Sequence, residues 1–434
     1  MNPINPKRKI LVISISSWNT EVGMNTWPAL LEGHDPDCVA HICFRSNVPN
    51  NPVCNHYFVL SENRVIKSIL NRKIKTGREV FPGEATAGLS GDLQAQKARY
   101  GRMKKHRNAV TLLGRELLWK LGKWKTKELD DFVTSFAPDV ILYSMESYLY
   151  CNRICRYVKN LTGAKSIGYF ADDNFTYKQQ KGFFANIPRF FQRRSLKKLA
   201  KQTDAFFAIA PKTKREADAF FGINCKVLTK PLYEIPKENY PETIEYPIRL
   251  LYTGNLGIGR DESLLRIFRA IQKINQTEPI FSLNVYSSTV LPERVRSEME
   301  TDFCSIHAAI PQNEVLQKQK EADLLLFLEA LKGKNAKIAR LSFSTKITDY
   351  FSAGKCIFAV GCPDIAPIEY LRENKCALIA SDQSEIEARL RYIVDHPQAL
   401  KEYAQNARNC ALQNHEKDKV LALFNNTIES VVNG

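Results

Sequence analysis

Residues Leu250–Arg260 read LLYTGNLGIGR, and the helical stretch Asp261–Ile271 follows without a break. An apolar strand that runs into a glycine-containing turn and then directly into a helix is the building unit of doubly wound α/β domains. Gly254, Gly257 and Gly259 permit tight turning and close approach of another group to the backbone. The start of the helix offers N–H groups with no partner inside it, a setting that suits an anion. Asn255 lies in the same turn, and Arg260 adds a fixed charge whose forked geometry matches phosphate oxygens. Taken alone, the pattern also describes a plain strand–turn–helix with Arg260 in water.

Leu341–Val360, LSFSTKITDYFSAGKCIFAV, extends the argument. Ser342 and Ser344 are placed to cap a helix over about Lys346–Ala353, and Gly354 to close it before the apolar strand Cys356–Val360. Thr345 and Lys346 fall in the first turn. A lysine there opposes the helix dipole unless an anion sits between its ammonium and the free N–H groups. Asp349, one turn on, is placed to accept hydrogen bonds from sugar hydroxyls, as a carboxylate does on ribose in dinucleotide folds. The plainer alternative is a capped surface helix with Lys346 and Asp349 solvated.

Around these segments the chain reads as two α/β series. Strands are expected at Arg249–Thr253, Ser282–Tyr286, Leu324–Leu328, Cys356–Val360 and Ala377–Ala380 in the second half. In the first half they are expected at Ile10–Ile15, Cys38–Phe44, Asp139–Tyr143, Ser166–Phe170 and Ala205–Ile209, with a helical stretch around Met24–Glu32. The proline-rich stretch Pro231, Pro236, Pro241, Pro247 marks a boundary. This gives an N-terminal domain over 1–235, a C-terminal domain over 248–405 and a helical segment over 406–434. The rhythm breaks over about 62–132, a basic insert. From Lys97 to Lys127 it holds eleven Lys/Arg and one acid, Glu116, interleaved with Leu and Trp. Such a mixture over Leu112–Lys127 fits a helix lying in an anionic membrane interface, or a solvated basic face whose apolar residues pack on the core.

The 434 residues exceed what one hydrophobic core serves, and a net charge of +16 favours polyanionic or phosphorylated partners. The 11 cysteines form no CxxC pair and complete no zinc cluster, so no metal site is expected and the thiols read as small apolar residues. No signal-peptide pattern and no apolar run near ~20 residues is present, so a cytoplasmic location is expected, peripheral on the inner face of the membrane if the basic insert lies there.

YTGNLGIGR together with STKITDYFSAGK resembles the donor-binding half of GT-B glycosyltransferases, in particular the family-4-like bacterial sugar transferases. Lys346, Tyr350, Ala353, Gly354 and Lys355 match that family's motif; Ser344, Thr345, Asp349 and Cys356 stand at its neighbouring positions. Ile310–Val315 resembles the family's base-binding loop and Glu321–Leu326 its following strand. In the first half Lys9–Ser16, Glu32-Gly33-His34, Pro138–Ile141, Lys165–Asp173 and Asp204–Phe221 have counterparts. Two departures stand out: Leu341 occupies the position of a sugar-contacting glutamate, and Ser16–Asn19 replaces a Gly-Gly turn.

The resemblance implies two Rossmann-like domains whose parallel sheets face an interdomain cleft, with the C-terminal helix returning to the N-terminal domain. It implies an enzyme, a hexosyl-type glycosyltransferase, that moves sugar from a nucleotide diphosphate-sugar to a saccharide or lipid-linked acceptor in cell-surface polysaccharide assembly. Retention of configuration and independence of metal are implied too. No cofactor is expected, the nucleotide-sugar being a substrate. Arg260, Lys346 and the N–H groups at Ser344–Lys346 would then stabilise charge on the leaving diphosphate, with Gly254, Asn255, Gly257, Thr345 and Asp349 around the donor. Asp172 or Asp173 would orient or deprotonate the acceptor hydroxyl, unless it serves as a helix cap. A nucleotide-sugar epimerase of the same architecture and a non-enzymatic nucleic-acid or membrane binder are the rival readings. No nucleic-acid signature is present: the basic run carries aliphatics where stacking aromatics would be expected.

Overall fold

The computed structural model describes residues 7–20, 26–45, 49–82, 109–179, 182–237 and 244–434. The chain forms two compact units. One comprises 1–209, 214–228 and 421–434; the other comprises 210–213 and 229–420. The boundaries differ from those read in the sequence: Leu421–Gly434 belongs with the first unit, while 406–420 stays with the second. The charged, proline-bearing stretch between the series hides this exchange, because packing rather than composition decides where each segment lies.

The first unit holds an eight-stranded sheet. Its strands are β1 (Ile10–Ser14), β2 (Val39–Cys43), β3 (His56–Leu60), β4 (Gly77–Val80), β5 (Val140–Ser144), β6 (Lys165–Phe170), β7 (Ala205–Ala208) and β8 (Lys226–Val227). Their order is β4-β3-β2-β1-β5-β6-β7-β8, parallel throughout except for the β3–β4 pair. Every residue of β1 and β2 is buried, as expected where helices cover both faces of a parallel sheet.

The described part of the basic insert forms the helix Ala109–Leu121, which is fastened to this unit by a few specific contacts. Trp119 is fully buried and stacks on Tyr150 with centroids 4.1 Å apart. Its Nε1 donates to Glu62 Oε2 at 3.0 Å, and Arg115 pairs with the same carboxylate. Glu116, the one acid of the basic run, accepts from Leu149 N and Tyr150 N at 2.9 Å each. It thereby caps the helix Leu149–Thr162, whose own N-cap residue Tyr148 makes no side-chain cap bond. The part of the run over 97–108 lies outside the described residues. The C-terminal helix Lys417–Asn433 is tied to the first unit by Phe424 against Phe207 and by Arg8 with Glu429 at 2.5 Å.

The second unit holds six parallel strands: β9 (Ile248–Thr253), β10 (Phe281–Ser287), β11 (Cys304–Ala308), β12 (Leu324–Leu328), β13 (Cys356–Val360) and β14 (Leu378–Ala380). Their order is β11-β10-β9-β12-β13-β14. The core below them is aliphatic and aromatic, from Leu250, Tyr252 and Leu326 to Phe268 and Phe358.

Because Trp119 is both a packed ring and a donor to a buried carboxylate, Trp119→Ala should destabilise the first unit by about 3–5 kcal/mol. Urea denaturation followed by fluorescence checks this. A change below ~1 kcal/mol would mean the helix is not docked as described.

Candidate functional site

In the second sheet the chain leaves β9 toward β10 and β11 on one side, and leaves β12 toward β13 and β14 on the other. β9 and β12 are neighbours, with Leu250 opposite Leu324. Their loops therefore diverge at a topological switch point, and the crevice beyond the carboxyl ends of such strands is where open α/β sheets take ligands.

The turn after β9 is shaped to bring a cation onto the backbone. Gly254 has φ +130°, a conformation that side-chain-bearing residues rarely adopt. A Cβ at Gly254 would lie 2.5 Å from Lys346 Cε and closer still to its Nζ, so the ammonium occupies the space that a side chain would fill. Lys346 Nζ donates to Tyr252 Oη at 3.0 Å, and that hydroxyl donates to Asn255 O at 2.6 Å. Asn255 Oδ1 accepts from Gly257 N at 2.6 Å, so this side chain holds the turn in shape.

Among the described residues no carboxylate forms an ion pair with Lys346. Of the two that act on it, Glu329 is paired with Arg260 and Asp349 lies 3.5 Å from Lys230. Burial, and then the charge of Arg260, push the Lys346 ammonium down to about 8, while Glu329 and Asp349 resist the fall. Lys346 opens the helix Lys346–Ala353, whose N-cap Thr345 makes no side-chain cap bond. Ser344 Oγ accepts from Lys346 N at 3.3 Å. Ser344 thus supplies a bond of the kind expected of a cap.

Arg260 is placed differently from the expectation. Its Nη2 donates to both oxygens of Glu329, at 3.0 and 3.1 Å, and its Nε donates to Leu328 O at 3.1 Å. Glu329 is 3% exposed, and burial raises its pKa against the pull of Arg260. The guanidinium is therefore held by an acid and a backbone carbonyl through its Nε and Nη2. Glu329 escaped the sequence reading. Its only signal is an acid directly after the wholly apolar strand Leu324–Leu328, and its meaning depends on β12 lying beside β9. Gly259 completes the junction: a Cβ there would lie 3.0 Å from that of Ala330, the residue after Glu329.

A cavity of about 200 Å³ opens beside the switch point. Gly254, Lys346 and Asp349 line it together with Tyr286, Ile310 and Val315. The structure thus unites the glycine turn, the lysine, the carboxylate and the Ile310–Val315 loop. Arg260, Asn255, Gly257, Ser344 and Thr345 are near in sequence to the lining residues but are not among them.

In the first unit the two adjacent aspartates separate. Asp173 is 1% exposed; its Oδ1 accepts from Thr176 N at 3.0 Å and its Oδ2 from Thr176 Oγ1 at 2.5 Å. These bonds close a turn within the loop after β6, where no helix begins. Asp172 is exposed beyond the end of β6.

The architecture has close counterparts among solved structures. HepE of Anabaena in complex with UDP and glucose matches with a TM-score of 0.60 at 10% identity, over 98% of this chain and 100% of that one. Sucrose-phosphate synthase of Thermosynechococcus elongatus matches at 0.58 and 10% identity, over 98% of both chains. A glycosyltransferase of Rickettsia africae matches at 0.59 and 12% identity, over 98% of this chain and 99% of that one. The fold is GT-B. No protein-family profile and no curated protein sequence matches the chain. At about 10% identity the structural likeness establishes the fold and leaves the chemistry to the residues.

Gly254→Ala should displace the Lys346 amine from the Tyr252 hydroxyl, let its pKa rise from about 8, and lower the melting temperature, because that backbone conformation does not suit a side chain. Titration of the amine by NMR in parent and variant checks this: an unmoved pKa would separate the glycine from the lysine.

Proposed function

We propose that this chain is a glycosyltransferase that moves a sugar from a nucleotide diphosphate-sugar to a saccharide acceptor. The observation that carries the reading is the ammonium of Lys346, held over Gly254 at the switch point of the second unit with no carboxylate partner among the described residues. A diphosphate placed there would meet a desolvated cation, and Asp349, lining the same cavity, is at hand for hydroxyl groups of a ribose. The solved structure of similar fold that contains UDP-glucose supports the choice of donor class. As the glycosidic bond breaks, charge develops on the leaving phosphate, and Lys346 stabilises it. Arg260 acts at one remove, through the ion pair with Glu329 and its effect on Lys346.

The proton on Lys346 sets the pH dependence. The cation is needed for binding, its pKa is depressed to about 8, and its charge fades as pH rises through that value. Affinity for a nucleotide-sugar should therefore fall above about pH 8. Lys346→Met should bind weakly with no such decline, and Lys346→Ala should lower turnover by about 10²–10³-fold. Thermal stabilisation by UDP-, GDP-, ADP- and dTDP-sugars identifies the donor. If none stabilises the protein, the transferase reading fails.

The acceptor in this reading is lipid-linked and met at the inner face of the membrane, in cell-surface polysaccharide assembly with retention of configuration. Its support is the exposed face of the helix Ala109–Leu121. Val110, Leu117, Leu118 and Leu121 are 77%, 55%, 37% and 48% exposed, at spacings that share one helical face. Phe184, Phe190 and Phe191 of the helix Phe183–Ala200 are exposed as well, among Arg193, Arg194, Lys197 and Lys198. Apolar side chains bordered by cations suit an anionic interface. Among the described residues no helix is long and apolar enough to cross a membrane. The protein should sediment with vesicles containing anionic phospholipid at low salt, and Leu117→Asp with Leu121→Asp should abolish this. Equal sedimentation of the double variant would remove this surface from the account.

A further inference from the structure

The second unit has a larger cavity apart from the one that Lys346 lines. It measures about 510 Å³. Lys355, immediately before β13, and Lys320, four residues before β12, place it at the amino edge of the sheet, the opposite edge from Gly254. Lys237, Lys401 and Arg408 line it as well. Five cations from four separate stretches of chain thus surround one space, and among the described residues that line it there is no acid. The cavity at the switch point, by contrast, has one cation and one acid among its described lining residues, Lys346 and Asp349.

Packing fixes the walls and leaves room between them. Lys401, Ala404, Gln405 and Arg408 follow at i, i+3, i+4 and i+7 of the helix Ala399–Asn414, and so share one face. Ala353, Gly354 and Ala404 are small. A Cβ at Gly354 would lie 2.6 Å from Pro236 Cγ, so the bare backbone there admits the Pro236 stretch. Pro236 O in turn accepts from Arg408 Nε at 2.9 Å. Two acids close in sequence are engaged by other cations: Arg249 Nη2 donates to Asp323 Oδ1 at 2.9 Å, and Lys318 Nζ donates to Glu321 Oε2 at 2.9 Å. Glu234 reaches Lys320 at 3.4 Å, but its side chain is 62% exposed, and a pair so open to water offsets little charge. Burial lowers the Lys355 pKa against the pull of Asp323.

A lysine just after the helix Lys346–Ala353 has an ordinary role, since a cation there offsets the roughly half unit of negative charge at a helix end. Lys355 alone meets that need, and four further cations remain. A recess walled by protein and lined by one sign of charge concentrates counter-ions. We infer that this recess is a second anion site, which takes a small soluble compound bearing two or more phosphoryl groups. Phosphate oxygens accept from ammonium and guanidinium donors alike, and several cations favour a multiply charged ligand over a single carboxylate. The described lining has no aromatic ring and no large aliphatic side chain. It therefore lacks the stacking surface that a nucleic-acid strand uses and the apolar contact that a membrane uses. The inference goes beyond the transferase reading and stands apart from it, on other residues at another edge of the sheet.

Calorimetric titration of the full chain with sodium pyrophosphate at low salt tests this. Lys346→Met serves as the background, so that the cavity at the switch point contributes little. Pyrophosphate should bind this protein, and adding Lys237→Glu with Lys401→Glu should weaken binding about tenfold or more. Both side chains are exposed, so the melting temperature should stay within a few degrees. Lys120→Glu with Lys201→Glu makes the same change of net charge on the first unit and should weaken binding less than about threefold. Equal losses in the two pairs would mean attraction to net charge alone and overturn the proposal. Failure of pyrophosphate to bind the Lys346→Met protein overturns it as well. So does binding of phosphatidic acid vesicles through Lys237 and Lys401 in the absence of pyrophosphate binding, since the ligand would then be a lipid surface. If the charge-swap pair does not fold, Lys237→Gln with Lys401→Gln makes the same comparison, with an expected loss of about threefold or more.

Discussion

A lysine ammonium set against bare backbone, with no acid of its own among the described residues, is the constraint that organises the second unit. Depressing its pKa from 10.5 to about 8 corresponds to a penalty on the charged form on the order of 3 kcal/mol. A fold does not hold such a strain for packing alone, since Lys346 could reach water or an acid at little cost if its surroundings were different. The strain persists because each neighbour is committed. Gly254 has no side chain to push the amine away, Tyr252 fixes it by one hydrogen bond, Glu329 is engaged by Arg260, and Asp349 by Lys230.

The same logic explains why a buried ion pair lies next to that lysine. Arg260 and Glu329 form a bidentate pair on the two loops that flank the switch point, with Ser263 Oγ adding a bond to Glu329 O at 2.7 Å. Removing either partner would leave a buried charge uncompensated, an effect of about 3–5 kcal/mol. The pair thus fixes the turn after β9 to the end of β12, and the cavity depends on that junction for its shape.

Much of this was legible in the residues, because continuous apolar runs bounded by turns specify parallel strands whatever their partners. Leu324–Leu328 and Cys356–Val360 needed no other information. β3, β4, β8 and β11 were not read. β4 carries Arg78 and Glu79, β8 has two residues, and β11 is an edge strand with only Cys304 buried, so none of these presents a clean apolar run; β3 does, over Tyr57–Leu60, and was passed over. At the site, Lys346 and Asp349 declared themselves through their place on a helix. The partnership of Arg260 with Glu329 could not, because 69 residues separate them and only the adjacency of β9 and β12 joins them. Asp173 was read as a possible helix cap, but its bonds to Thr176 form a turn inside a loop with no helix behind it. The basic insert misled in a different way. Its charge is what the eye meets, while Trp119 and the lone acid Glu116 are what dock it.

The two units place their least comfortable charges by different means. In the second unit an unpaired cation lies under a glycine, and the nearby acids are spoken for. In the first unit the acid is unpaired: the backbone around Glu146 is clamped by Asn152 and Asn174, but its carboxylate is left without a partner among the described residues. Both groups sit at the carboxyl edge of a parallel sheet at its switch point, and both have their charge disfavoured by burial, so each shifts toward neutrality. A group that is costly to leave charged and rigidly placed gains most from a change that restores or removes that charge. The sequence places one such group in each half of the chain.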